Sequence, residues 1–337
     1  MTNAQKFMLY QGQGVPIRER NLTFPLHEPF IELEKPETYI AETGLRNAIN
    51  VALALGQPLL LTGEPGTGKT QLAGSVTYEL GLPPPLVFNT KTTSAATDLF
   101  YQYDALRRFQ DAQIKEQADG KRVDLDPEKY ISYQALGLAI FLSMSPEKAN
   151  PYLPDILRNR GPIRSVVLID EIDKAPRDLP NDVLYEIERM SFTVKETGKS
   201  FSADPRYRPI MVLTSNSEKN LPDAFLRRCV YYHIPFPTEP QLKEIVLKRF
   251  SKYPDFTPAF IDAAIRHFYE IRNLALKKKP ATAEFLAWLG ILQSLKIDLN
   301  HLESGQAEAV ALSYSILAKT REDLALMRKH ILAKEGE

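Results

Sequence analysis

The segment 63–70 reads GEPGTGKT and fits the pattern G-x-x-x-x-G-K-[ST] without a mismatch. Its three glycines allow the backbone to turn its N–H groups inward around a phosphate. The pattern places the Lys69 ammonium at the β- and γ-phosphates of a nucleotide and the Thr70 hydroxyl on Mg²⁺. We therefore predict a nucleotide-phosphate site; the alternative is a glycine turn that carries a surface lysine. The residues predicted to contact the nucleotide here are Gly63, Glu64, Pro65, Gly66, Thr67, Gly68, Lys69, Thr70 and Gln71.

Two adjacent carboxylates supply the second part of the predicted chemistry. Residues 165–169, SVVLI, have the apolar, β-branched composition of a buried strand, and Asp170 and Glu171 follow directly. Asp170 can hold Mg²⁺ through its water ligands, and Glu171 can polarise the water that attacks the terminal phosphate. The alternative is an acidic strand end exposed to solvent. We interpret Asp173 and Lys174 as the turn into the next helix.

Strands and helices that alternate along residues 38–237 must position these groups. Residues 42–55 have helical spacing, and Gly56 closes that helix. Residues 59–61 are three leucines, typical of a buried parallel strand, and a helical pattern follows at 70–80. This alternation favours an α/β fold, an αβα sandwich with a parallel central sheet. Its other strands are predicted at 86–89, 165–169, 209–215 and 230–234.

The stretches between these strands have weaker patterns. We predict helices at 94–109 and 130–144, separated by a charged loop at 110–128. A further helix is predicted at 178–190, and alternating residues predict a hairpin over 190–203.

The composition changes after residue 237, where only helical patterns remain. The predicted domains are therefore an N-terminal extended arm over residues 1–37, an αβα nucleotide-binding domain over 38–237 and an all-helical lid domain over 238–337. The helical patterns of the last domain lie at 239–251, 258–276, 282–295, 306–319 and 321–334.

The composition narrows the class of protein. The chain has 337 residues, 44% of them hydrophobic, and its 42 Lys and Arg residues balance 42 Asp and Glu residues. This neutral balance gives no support for a nucleic-acid-binding or membrane-surface protein. The single cysteine, Cys229, excludes an intramolecular disulfide and favours a reducing compartment. Residues 1–20 lack the apolar core of a signal peptide, so we expect a soluble cytoplasmic protein.

With the strand–GEPGTGKT–helix unit, VVLIDEID, LTSN and FLRRC, the chain resembles an AAA+ ATPase over about residues 39–295. The pairing of GEPGTGKTQLA with LIDEIDKAP, a helix and a hairpin before LTSN is similar to the MoxR branch. The resemblance implies that Asn216 is sensor 1, beside Glu171; the alternative is an asparagine that caps a strand-to-loop turn. It also implies an arginine finger acting on a neighbouring subunit's nucleotide, for which we favour Arg228 over Arg227. The alternative for both arginines is a structural ion pair.

The resemblance extends less completely to the predicted lid domain. The family usually has an arginine, called sensor 2, at the start of a lid helix, and the position that aligns with it here is Ala283. Lys279 is the nearest cation that could substitute for that arginine. The alternative is that Lys279 belongs to a solvated basic turn. Tyr39 and Ile40 are candidates for the nucleobase pocket. The aromatic residues Phe100, Tyr101 and Tyr103 could line a central pore or belong to the core.

The resemblance implies an Mg²⁺-dependent ATPase that forms a homo-oligomeric ring, with a hexamer expected, and remodels a protein client. A von Willebrand A domain protein is a possible client by the same resemblance. Its catalytic residues would be Lys69, Glu171, Asn216 and Arg228 or Arg227. One alternative is a DNA-dependent clamp-loader or helicase-loader subunit, against which the neutral charge argues. Another is a nucleotide-gated switch, against which Glu171 argues. The phosphate loop does not distinguish ATP from GTP, but no guanine-reading segment is found, which favours ATP.

Overall fold

The structure is a computed structural model that describes residues 35–119, 125–176, 179–217, 221–297, 299 and 306–334. Most of the predicted N-terminal arm lies outside the described residues. The chain divides into two compact units. The sheet unit comprises Ala41–Gly63 and Lys69–Ile234, and the helical unit comprises Met1–Ile40, Glu64–Gly68 and Pro235–Glu337.

The sheet unit is built on five parallel strands. They are β1 Leu59–Thr62, β2 Leu86–Asn89, β5 Val166–Asp170, β8 Ile210–Thr214 and β9 Val230–His233. Their order across the sheet is β2-β5-β8-β1-β9. The central strands are apolar and buried on both faces, as is usual for a parallel sheet with helices on each side. All five strands agree with the sequence prediction, and the predicted fold class is confirmed.

Helices cover this sheet. The first ends at Gly56, whose φ of 62° is the left-handed conformation that commonly terminates a helix. The sequence ALGLAIFLS forms a helix that is apolar on every side, and all but one of its residues are buried. The helices of this unit are α1 Thr43–Leu55, α2 Lys69–Glu79, α3 Ala105–Asp119, α4 Ala135–Ser143, α5 Pro146–Ala149, α6 Leu179–Arg189 and α7 Asp223–Leu226.

The segment after β2 differs from the prediction of a helix at 94–109. It forms a short 3₁₀ turn and then strand β3, Tyr101–Tyr103, which pairs antiparallel with β4, Ile131–Tyr133. Helix α3 lies between these strands in the chain, so the predicted loop at 110–128 is partly helical. The predicted helix at 130–144 begins only at Ala135, after β4. The sequence did not indicate β3 and β4 because a strand of three residues is too short to show alternation with a period of two. The two paired strands are also about thirty residues apart in the chain.

The aromatic residues after β2 belong to the core. Phe100 and Tyr101 are 2% and 6% exposed, and their rings stack on Phe192 at centroid distances of 4.9 and 6.3 Å. Phe192 belongs to the predicted hairpin, which the structure contains as β6, Ser191–Thr193, and β7, Ser200–Ser202. Of the two interpretations of these aromatics, burial supports the core for Phe100 and Tyr101.

The helical unit contains the five helices expected from the sequence, packed around Trp288 and Phe268. The Trp288 indole N–H donates to the Ser313 hydroxyl at 2.7 Å, which satisfies its polar atom inside the core. No helix within the described ranges is both long and apolar enough to cross a membrane. These helices are α8 Glu239–Arg249, α9 Pro258–Asn273, α10 Thr282–Ser294, α11 Gln306–Ser313 and α12 Arg321–Lys334.

Candidate functional site

The phosphate loop has the backbone that its glycines predict. Strand β1 ends at Thr62, and helix α2 begins at Lys69. Between them Gly63, Gly66 and Gly68 have φ values of 145°, 77° and 88°, which residues with a side chain rarely adopt. The predicted strand–loop–helix arrangement is therefore present, and the amino terminus of α2 provides a favourable end for an anion.

Lys69 lies at the base of this loop. It is 7% exposed, and its ammonium donates a hydrogen bond to the Gly63 carbonyl at 2.9 Å. Burial lowers the pKa of Lys69, and the carboxylates of Asp170, Asp173 and Glu171 oppose that shift. A phosphate bound in the loop would favour the charged ammonium in the same way. Lys69 is thus a buried cation that is suited to an anionic ligand.

Thr70, at the start of α2, meets the acidic pair within the sheet unit. The Thr70 hydroxyl donates to both carboxylate oxygens of Asp170, at 3.1 and 3.2 Å, although the two residues are 100 positions apart. These oxygens suit Mg²⁺, which is commonly held by one or two protein oxygens together with water and substrate phosphates. Among the described residues no cluster of three or more His, Cys, Asp or Glu side chains could hold a metal by itself. Thr70 and Asp170 are therefore the fitting donors for a magnesium ion shared with a nucleotide.

Glu171 has an unusual backbone conformation for a glutamate. Its φ of 55° and ψ of 50° are left-handed, and its N–H donates to the Thr214 hydroxyl at 2.9 Å. The Thr214 hydroxyl in turn donates to Asp170. The Glu171 carboxylate is paired with Lys174 in the following 3₁₀ turn, and this hydrogen bond raises the pKa of Lys174. Left-handed non-glycine residues are often found at functional positions, and here the conformation sets where the carboxylate of Glu171 points.

Asn216 follows strand β8 by two residues. Its backbone N–H donates to Asp173 at 3.3 Å, and its side chain is exposed. Within the described part of the chain, its amide group has no hydrogen bond to Glu171. The predicted sensor 1 role for Asn216 thus stays a prediction.

The two arginines lie at the amino end of strand β9, whereas the phosphate loop follows the carboxyl end of β1. Arg227 and Arg228 precede β9, whereas the phosphate loop follows β1, which pairs parallel with β9 over four residues. At about 3.3 Å per residue, roughly 13 Å or more separates these two ends. Arg228 pairs with Glu188 in the same chain at 3.3 Å, and both side chains are about half exposed. Parallel pairing therefore places both arginines at the end of the strands opposite the end of β1 that leads into the phosphate loop.

Gln71 lies in α2 of the sheet unit, and Tyr39, Ile40 and Lys279 belong to the helical unit. The Tyr39 carbonyl accepts a hydrogen bond from Lys248 at 3.3 Å, and Tyr39 interacts electrostatically with Arg249, which is buried. Ile40 is partly exposed. Lys279 is exposed, and its predicted role in place of the sensor 2 arginine stays a prediction.

The phosphate-loop tip also belongs to this unit. A Cβ atom on Gly66 would lie 3.0 Å from the Cβ of Ala281 and 3.3 Å from that of Ala283. The backbone of the tip therefore lies close to the amino end of α10, where only glycine leaves enough space.

Two residues of these sites were not predicted. Thr214 joins the acidic pair, and Arg272 contacts Glu64 of the loop at 3.2 Å. A hydroxyl at the end of the apolar run PIMVLT is a weak sequence signal for the first. An arginine beside Phe268 and Ile271, on the buried face of a helix, is a weak signal for the second.

Comparison with known proteins identifies the domain. A family model described as AAA domain (dynein-related subfamily) matches residues 58–229. No curated protein sequence matches this chain. Similar solved structures include a single-residue variant of RuvB from Thermotoga maritima, with 15% identity and a TM-score of 0.45 over 84% of this chain and 73% of that one. Another, titled for the self-assembly of katanin, has 15% identity and a TM-score of 0.39 over 87% and 83%. Similarities this low support no functional assignment.

Proposed function

This chain belongs to the dynein-related subfamily of AAA domains, and from that premise we propose that it is an Mg²⁺-dependent ATPase that works as a ring. The single observation that carries the proposal is the meeting of Thr70 with Asp170, at 3.1 and 3.2 Å, beside the buried Lys69. A phosphate-binding loop and a strand-end carboxylate in contact are the two parts that phosphoryl transfer requires.

Each residue of the sheet unit has a distinct role in this proposal. Lys69 neutralises charge on the β- and γ-phosphates, and Glu171 accepts a proton from the water that attacks the γ-phosphorus as the bond to the β-phosphate oxygen breaks. Thr70 and Asp170 would hold Mg²⁺, which would supply neutralisation of the developing charge on the phosphate oxygens. Thr214, on β8, donates to the Asp170 carboxylate and accepts from the Glu171 backbone N–H, and it so positions the acidic pair. Asn216 helps to orient the attacking water.

We propose that the arginine finger acts in trans. Arg228 precedes β9, at the end of the strands opposite the end of β1 that leads into its own phosphate loop. A guanidinium there serves a neighbouring subunit's nucleotide more readily than its own. This arrangement requires an oligomer whose contacts are heterologous, and such contacts form a ring when the rotation between neighbouring subunits closes. A hexameric ring of the MoxR type that remodels a protein client, such as a von Willebrand A domain protein, remains the finer hypothesis.

Two substitutions test the ATPase proposal. Lys69→Ala removes the buried cation and should abolish the binding of a fluorescent ATP analogue, whereas Glu171→Gln should retain binding and stop phosphate release. Phosphate release by Glu171→Gln at the wild-type rate would contradict the role of Glu171 as base. Full affinity in Lys69→Ala would contradict the site itself. The retained binding of Glu171→Gln serves as the folding control for its loss of turnover, and its trapped complex is suited to co-purification of a client.

A further inference from the structure

Arg272 is a buried cation that reaches the phosphate loop within the helical unit. It is 7% exposed, near the end of α9, and its Nη2 lies 3.2 Å from the Glu64 carboxylate. Its guanidinium lies over the Phe236 ring, 3.4 Å from the centroid, and its Nη1 donates to the Pro280 carbonyl. Three partners from three separate segments thus hold one side chain.

These contacts fix the direction in which the guanidinium faces. A buried charge is costly unless it is paired and hydrogen-bonded, and here the aromatic face and the carbonyl both stabilise it. With the ring of Phe236 on its face and the Pro280 carbonyl on one edge, the remaining edge points at Glu64. A lysine ammonium lacks the plane and the separate donors that these three contacts use.

Glu64 is well placed to transmit this contact to the loop backbone. It follows Gly63 directly, its side chain is about half exposed, and its carbonyl accepts hydrogen bonds from both the N–H and the hydroxyl of Thr67. The turn that surrounds a phosphate is therefore held at its first residue by an ion pair with α9.

We propose that Arg272 is a positioning residue for the phosphate loop, and that its ion pair with Glu64 keeps the loop in the conformation that binds the nucleotide phosphates. This inference rests on the proposed nucleotide site. Of the cations in the helical unit, only Lys279 was predicted to act on the nucleotide. Lys279 is exposed, and the neighbouring backbone amides of Lys277 and Lys278 donate to Asp323. The inference assigns a role at the phosphate loop to a different cation, Arg272 of α9. Arg272 contacts Glu64 of the loop, and we infer that it acts on the nucleotide site through Glu64.

The test uses the exposed partner, because a substitution of the buried Arg272 could prevent folding. Glu64→Gln should weaken binding of a fluorescent ATP analogue about two- to fivefold, the range for an ion pair with a half-exposed partner. Glu64→Lys should weaken it about tenfold or more because it places a like charge beside Arg272. In both variants the rise in KM should exceed the fall in kcat. Asp262→Asn is the matched control, since it neutralises a similarly exposed carboxylate of the same unit, paired with Lys243 and not with the loop.

A second readout does not depend on nucleotide. In the ligand-free protein, hydrogen exchange of the Gly66, Thr67 and Gly68 amides should be faster in Glu64→Gln than in the wild type or in Asp262→Asn. Unchanged affinity and unchanged exchange in Glu64→Gln would overturn the inference while leaving the ATPase proposal intact. Failure of the wild type to bind nucleotide would overturn both.

Discussion

The Thr214 hydroxyl is the group whose removal tests the acidic pair most directly. It donates to Asp170 and accepts from the Glu171 N–H at 2.9 Å, and the residue is 1% exposed. Thr214→Val keeps the size and β-branching of the side chain and replaces the hydroxyl with a methyl. The substitution therefore changes hydrogen bonding at the site with little change in packing.

The expected cost follows from these two hydrogen bonds. At about 1 kcal/mol for each bond, with up to about 1 kcal/mol more for the unpaired Glu171 amide, the free energy of unfolding should fall by about 2–3 kcal/mol. For a unit of this size that corresponds to a fall in Tm of about 5–10 °C. Turnover should fall about 10- to 100-fold, since the left-handed backbone of Glu171 loses its anchor and the base is displaced.

The assay separates stability from catalysis. Phosphate release gives kcat below the melting temperature, and thermal unfolding gives Tm. Thr214→Ser keeps the hydroxyl, so it should lose about 1 kcal/mol for the missing methyl and retain most of the turnover. Thr62→Val is the matched control, because its equally buried hydroxyl bonds Tyr231 and His233 in β9 and does not touch the carboxylates. Wild-type turnover in folded Thr214→Val, within about twofold, would refute the positioning role.

Two further predictions concern Arg228 and Cys229, which directly precede strand β9. Arg228→Ala should lower kcat about 10³-fold and leave the nucleotide affinity unchanged. An equal mixture of Arg228→Ala and Lys69→Ala subunits should recover about a quarter of wild-type activity. In such a mixture, about a quarter of the subunit interfaces combine an intact phosphate loop with an intact arginine. Phosphate release by mixed subunits measures this, and no recovery would exclude action in trans. Burial raises the pKa of Cys229 from 9.0 to about 12, so the unfolded thiol ionises first and stability should fall as pH rises between these values. Thermal unfolding across this range should show a shallower fall for Cys229→Ala, and an identical slope would contradict the assignment.

The five strands of the central sheet and the helices of the second unit could be predicted from the sequence because each is recorded in a local pattern. A buried parallel strand is a continuous apolar run, and an amphipathic helix repeats its apolar residues over several turns. The phosphate loop and the acidic pair were predictable for the same reason, since GEPGTGKT and DE are contiguous and adjoin such strands. Strands β3 and β4 were missed because three residues carry almost no periodic signal.

The partners of the side chains were decided only by the tertiary structure. Thr214 meets Asp170 because β5 and β8 are neighbours in register, and Arg272 meets Glu64 across about 200 positions of the chain. A local pattern determines the backbone that residues adopt, but a hydrogen bond or ion pair also requires its second group to be brought within about 3 Å. Folding supplies that second group, so the chemistry of the loop could be predicted from its sequence while the residues that position it could not.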